Sequence, residues 1–104
     1  MRRGEVWWAD LPPPAGRRPV VLLSRDRAYR VRVSVTFAAV TRAVRGIPTE
    51  VPLGPEDGMP AACVVNADDI LTAPKALLTE RITLLSAEKM AAVEAAVKFA
   101  LDIR

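Results

Sequence analysis

The alternation of apolar and polar positions changes period once along this chain. Up to about residue 84, apolar residues come in short blocks broken by glycine and proline; beyond Ser86 they recur at helical spacing. Gly4 to Ala9 (GEVWWA) is rich in strand formers and stops at Asp10-Leu11-Pro12-Pro13-Pro14-Ala15-Gly16. Three prolines exclude a central strand there and predict a loop stiffened toward polyproline geometry. Pro19 to Leu23 is a continuous apolar run, the pattern of a strand buried on both faces. Arg25-Asp26-Arg27 predicts a turn or a short 3₁₀ segment. From Val31 to Val40 the pattern alternates, with Val31, Val33, Val35 and Phe37 on one face and Arg30, Arg32, Ser34 and Thr36 on the other. This predicts a half-buried strand.

A second loop follows from Arg42 to Ile47. Thr49 to Leu53 reads as a short strand, and its Pro52 favours an edge. Gly54 to Pro60 is rich in turn residues, Ala62 to Asn66 is a further strand, Pro74 to Leu78 starts a short helix, and Glu80 to Leu84 is a last short strand. Ser86 then suits a helix N-cap, with Glu88 in the first turn where a carboxylate meets the positive end of the dipole. Met90, Val93, Val97, Ala100 and Leu101 fall on one face of the helix that follows. Five or six short strands with turns between them predict a small closed barrel, mainly β, ending in an α-helix. With the helix last, no βαβ crossover is implied and a dinucleotide-binding sheet is excluded.

Composition narrows this further. The 104 residues make one domain, 1–104. A chain this short buries only about two-thirds of its unfolded surface, so pairing with a second copy would help it. No apolar run approaches the roughly 20 residues of a membrane span, and Met1 to Pro14 lacks the apolar core of a secretory signal. The one cysteine, Cys63, has no internal disulfide partner, which suits a reducing, cytoplasmic setting. There is no histidine. Histidine acid–base or nucleophile-partner chemistry is thereby excluded, as is structural zinc, which needs four Cys or His ligands. The net charge is +3, unevenly spread: residues 1–45 carry ten arginines against three acids, residues 46–104 five bases against nine acids. The cations of the first half are all arginine, whose planar fork grips phosphate oxygens in pairs. A polyanion partner or a solvated basic face both accommodate this.

Four segments, in order, carry a resemblance: Arg3-Gly4-Glu5-Val6-Trp7-Trp8-Ala9-Asp10-Leu11, then Gly16-Arg17-Arg18-Pro19-Val20-Val21-Leu22-Leu23-Ser24, then Ala39-Val40-Thr41 with Arg42 to Val51, then Cys63-Val64-Val65-Asn66-Ala67-Asp68-Asp69-Ile70. Together they resemble the MazF/PemK family of toxin endoribonucleases, over essentially the whole chain. The resemblance implies an SH3-like barrel of the CcdB/MazF type with a C-terminal helix, usually a homodimer. It implies metal-independent, sequence-selective cleavage of single-stranded RNA, no cofactor, and inhibition by a cognate antitoxin lying over the RNA groove.

It also implies roles for particular residues. Arg18, before the proline of the second strand, matches the family's key arginine. Attack of a ribose 2′-hydroxyl on phosphorus builds charge on the nonbridging oxygens, and a fixed guanidinium can donate two hydrogen bonds to it. Thr41 matches the family's threonine at the end of the third strand; Arg42 departs from the Thr or Ser usual there and makes the loop more basic. Arg17, Arg42, Arg45 and Asn66 are expected to contact RNA. Some family members carry an acid in the first loop, where this chain has none between Asp10 and Arg17; others carry an Arg-x-Asp pair on a core strand, at positions occupied here by Asn66 and Asp68. Asp68 is thus either the acceptor of the 2′-hydroxyl proton or a structural carboxylate capping a turn at Ala67-Asp68-Asp69. Trp7 and Trp8 point to opposite faces of their strand, so one belongs to the core and the other to a dimer interface or to stacking on a base. A rival reading keeps the barrel without the chemistry, as a non-catalytic CcdB-like poison or an inactive binder of RNA or antitoxin. The chain ends Leu101-Asp102-Ile103-Arg104, without the Trp-Gly-Ile tail of a CcdB-like poison.

Overall fold

Where β-branched runs find partners, they form six strands. The computed structural model, which describes residues 1–104, runs β1 (Glu5–Asp10), β2 (Arg17–Leu22), α1 (Ala28–Val31), β3 (Ser34–Thr41), β4 (Glu50–Leu53), β5 (Cys63–Pro74), β6 (Leu78–Leu84) and α2 (Ala87–Leu101), with 3₁₀ turns at Pro55–Asp57 and Lys75–Leu77. All neighbouring strands are antiparallel in one sheet of order β4-β5-β3-β2-β1-β6. The sheet curls into a half-barrel of the expected SH3-like kind, but it is not the closed barrel that the strand count predicts: β4 and β6 do not pair with each other and remain free edges. Irregular register between β1 and β6, at Val6/Trp7 and Trp8/Ala9, helps β1 bend.

The apolar run at 20–22 is buried on both faces, as its pattern requires. Val21 joins one buried cluster with Val6, Ala38, Val40, Val65 and the helix residues Met90, Val93 and Ala96. Val20 and Leu22 join the other, with Ala9, Leu11, Tyr29, Val35, Phe37 and Leu78. Helix α2 packs on β4 and β5 and begins where expected: the Ser86 hydroxyl oxygen accepts a hydrogen bond from Lys89 N–H at 3.1 Å.

Four local expectations change. Val31 to Val40 is not one strand. Residues 28–31 form a helical turn, β3 starts at Ser34, and Val31 and Val33 are 58% and 79% exposed. The strand starts there because its partner stops there: Ser34 pairs with Pro74, the last residue of β5. The proline loop is a turn at residues 13–15 and not an extended polyproline stretch, closed by Leu11 N–H donating to the Gly16 carbonyl at 3.1 Å. On α2, Leu101 is exposed and Ala96 takes a buried place. Finally, Ala67-Asp68-Asp69 is not a turn ending a strand. It lies inside β5 as a bulge, since Ala39 pairs with Asn66 but Ala38 pairs with Ile70. Ala67 N–H donates instead to the Thr49 carbonyl at 2.8 Å.

Candidate functional site

Pairing of β2 with β1 and β3 brings Arg17 and Arg18, at the start of β2, to the same end of the sheet as Thr41, at the end of β3. Two adjoining clefts open there. The larger, about 330 Å³, is lined by Arg17, Arg18, Thr41, Arg42, Trp8 and Cys63, among others. The smaller, about 190 Å³, is lined by Arg18, Thr41, Arg45, Asn66 and Asp69 with Ala39 and Ala43. Arg18 and Thr41 border both. Six residues singled out from the sequence therefore converge, namely Arg17, Arg18, Thr41, Arg42, Arg45 and Asn66.

Their constraints differ. Arg18 donates from Nε and Nη2 to the Ala15 carbonyl, at 3.3 and 3.1 Å. That fixes the guanidinium plane by one edge and leaves its other N–H donors without a protein acceptor. Arg17 is engaged on several sides. Its Nη1 donates to Asp10 Oδ1 at 3.2 Å and Thr79 Oγ1 at 3.0 Å, its Nη2 lies 3.6 Å from Glu80 Oε2, and its guanidinium sits 4.8 Å over the Trp8 ring. The Thr41 hydroxyl oxygen accepts from Ala43 N–H at 3.1 Å, so its own proton is free to be donated. Arg42 and Arg45 are exposed, and none of the chain's ion pairs involves Arg18, Arg42 or Arg45. Asn66 Oδ1 accepts from Asp68 N–H at 3.0 Å.

Asp68 is the expected site residue that the fold leaves outside both clefts. Its Oδ2 accepts from the hydroxyl of buried Thr49 at 2.8 Å, across to the start of β4. Its neighbour Asp69 takes the place on the cleft wall. The bulge explains the exchange, because extra residues in one strand re-aim the side chains that follow. Sequence reasoning missed Cys63 as a cleft wall and left open which tryptophan lies there; it is Trp8. Alternation says that Trp7 and Trp8 face opposite ways but not which faces the site; Trp7 packs on the second core cluster. Burial pushes the Cys63 thiol above its ordinary value, with Arg42 pulling the other way, so the sulfur stays neutral and serves as packing. No three Cys, Asp or Glu side chains gather in a way that could hold a metal ion. No helix is long and apolar enough to cross a membrane.

Residues 2–101 match the model of the PemK-like, MazF-like toxin of type II toxin–antitoxin systems. The chain is 42% identical over 91 residues to a probable endoribonuclease MazF2 of Mycobacterium tuberculosis, covering 86% of this chain and 87% of that one. Among solved structures it is similar to the Mycobacterium tuberculosis toxin MazF-mt6, at TM-score 0.88 and 32% identity over 96% of this chain and 98% of that one. It is also similar to a mycobacterial endoribonuclease in complex with its cognate antitoxin, at TM-score 0.89 and 30% identity over 100% of this chain and 97% of that one.

Proposed function

This chain belongs to the PemK-like, MazF-like toxin family, and from that premise we propose that it is a sequence-selective endoribonuclease that cuts single-stranded RNA without a metal ion. The observation that carries the reading is the convergence of Arg18, Thr41, Arg45, Asn66 and Asp69 on one cleft. Curated relatives named as endoribonucleases support the activity.

The chemistry follows from the donors available. The ribose 2′-hydroxyl attacks the adjacent phosphorus, the bond to the 5′-oxygen breaks, and a cyclic phosphate and a 5′-hydroxyl result. Arg18, held by the Ala15 carbonyl, presents its free N–H groups to the oxygens on which charge accumulates. The Thr41 hydroxyl donates a hydrogen bond to the same phosphate. Arg42 and Arg45, free of ion pairs, hold neighbouring phosphates; Asn66 hydrogen-bonds a base or a phosphate. Arginine is a poor base at neutral pH, so the 2′-hydroxyl proton goes to a carboxylate on the β5 bulge. Asp69 is favoured over Asp68, because Asp69 lines the same cleft as Arg18 and Thr41 while Asp68 is tied to Thr49. The leaving 5′-oxygen takes a proton from solvent. The chain has no histidine, a single cysteine and no gathered acids, a donor set that suits a metal-free route.

The working unit is a cytoplasmic homodimer held in check by a cognate antitoxin. Exposed Val31, Val33, Leu71, Phe99, Leu101 and Ile103 leave apolar surface for protein partners to cover.

The test is incubation of the protein with a long single-stranded RNA in EDTA, followed by chemical mapping of the new ends. Cleavage giving 5′-hydroxyl and cyclic or 3′-phosphate ends is expected. Activity lost in EDTA and restored by magnesium overturns the metal-free route, and binding without cleavage turns the reading to a non-catalytic binder. Asp69→Asn should lower the cleavage rate by about 100-fold or more and flatten its pH profile. Asp68→Asn should instead lower the melting temperature and keep the profile; the reverse pattern moves the base to Asp68.

A further inference from the structure

We propose that Glu50 is a positioning residue for the cleft: its carboxylate staples the loop after β3 and so sets where Arg45 meets the RNA. The inference rests on the reading of that cleft as an RNA site. Residues 42–48 are exposed and form no helix or strand, so whatever order they have comes from individual hydrogen bonds. At one end the Thr41 hydroxyl oxygen accepts from Ala43 N–H. At the other, Glu50 Oε1 accepts from Arg45 N–H at 3.0 Å and Gly46 N–H at 2.8 Å, and Oε2 lies 3.2 Å from the same Arg45 nitrogen. Glu50 N–H in turn donates to the Ile47 carbonyl at 3.0 Å.

Two successive backbone N–H groups converge on one anion because Gly46 is left-handed, with φ 72°. Such a pair forms a concavity that favours a negative group, and bonds to a carboxylate are roughly twice as strong as neutral ones. Glu50 takes backbone donors and forms no ion pair with the Arg45 guanidinium, so Arg45 keeps its full charge for phosphate. Glu50 also pairs with Asn66 across β4 and β5. One residue therefore links the loop carrying Arg45 to the strand carrying Asn66, two walls of the same cleft.

The sign of the mutational effect separates this role from simple charge. A carboxylate acting only through its charge repels RNA, and removing it tightens binding. A staple, when removed, loosens the hold of Arg45 on RNA. The experiment is steady-state cleavage of a long single-stranded RNA of mixed sequence, with backbone amide exchange followed in the same proteins. Glu50→Ala is expected to raise KM about tenfold with kcat within about threefold, and to speed exchange at Arg45 and Gly46. Glu50→Gln keeps an acceptor oxygen and should rescue part of the loss. In the Arg45→Ala background, Glu50→Ala should add nothing further to KM, because the two act as one unit. Gly46→Ala should raise KM by another route: a Cβ there meets no atom within 4 Å, so only the left-handed backbone is penalised. A KM that falls or stays level in Glu50→Ala, or effects of Glu50 and Arg45 that add in full, overturns the positioning role. Unchanged amide exchange overturns the staple itself. A wild-type protein that cleaves no RNA overturns the reading of the cleft instead, and the exchange measurement still reports on the loop.

Discussion

The two ends of the β2–β3 pair are both basic, and they differ in what holds the charge. At the cleft end, Arg18 is tied to a backbone carbonyl, Arg17 to two carboxylates and a tryptophan face, and the loop of Arg45 is pinned by Glu50. At the other end Arg25, Arg27, Arg30 and Arg32 take part in no ion pair and donate no side-chain hydrogen bond, and all four are exposed. What is held at that end is a carboxylate. Glu5 is buried, with its oxygens accepting from Arg2 N–H at 2.8 Å, Trp7 Nε1 at 3.1 Å and Arg81 Nε at 2.8 Å. Arginines gather at both ends, but only at the cleft end are they held in place. A transition state rewards donors already in place, so arginine count alone does not mark a site.

The comparison breaks most sharply at Arg18. Arg18→Ala should lower the cleavage rate constant by about 100- to 1000-fold, the usual loss for one preorganised donor, with the fold and RNA affinity little changed. Arg18→Lys should recover little, since an ammonium lacks the planar fork. Single-turnover kinetics at saturating RNA measures this, and wild-type cleavage by Arg18→Ala would refute the assignment.

A second contrast concerns salt. Arg45→Glu should lower the slope of log affinity against log salt by about 0.7 for each phosphate of the single strand that is no longer neutralised. Arg30→Glu, at the unorganised end, should leave the slope near wild type. Equal changes would mean that RNA reads overall charge and that the two ends do not differ in function.

The smallest effect is expected at Glu5 and touches stability alone. Burial pushes its carboxyl up, but the bonds from Arg81, Trp7 and Arg2, with the N-terminal ammonium, outweigh that and hold it below the ordinary 4.5. A carboxyl depressed by folding contributes stability that is complete above its unfolded value and is lost as pH falls through its folded one. Glu5→Gln should therefore cost roughly 1–2 kcal/mol at neutral pH, and less as the solution is acidified, with neutral-pH cleavage unchanged. Thermal melts from neutral to acidic pH would show this; a constant difference between the two proteins would count against it.

Much of this was legible in the sequence where local pattern suffices. The apolar run at Val20 to Leu22 needs burial on both faces whatever surrounds it, and Ser86 caps a helix by its own hydroxyl. Arg18, Thr41, Arg42 and Arg45 are legible only through the family resemblance carried by Gly16 to Ser24 and Ala39 to Val51. What stayed hidden depends on partners. The alternation through Val31 and Val33 continues past the real start of β3, because period two does not say where the neighbouring strand ends. The choice between Asp68 and Asp69 was invisible because it turns on a register break between β3 and β5. Glu50 gave no signal as one more strand residue, since its partners are backbone N–H groups of a loop.

The acceptor that orients Arg18 belongs to the main chain of Ala15. Every amino acid supplies that oxygen, so replacing the side chain at position 15 leaves it in place, and a scan of side-chain substitutions passes over it unseen. Its vulnerability lies in chain length. A residue inserted or deleted between Leu11 and Gly16 would carry the carbonyl away from the guanidinium while every side chain of the cleft remained, and the expected result is a protein that cleaves no RNA although its composition looks intact.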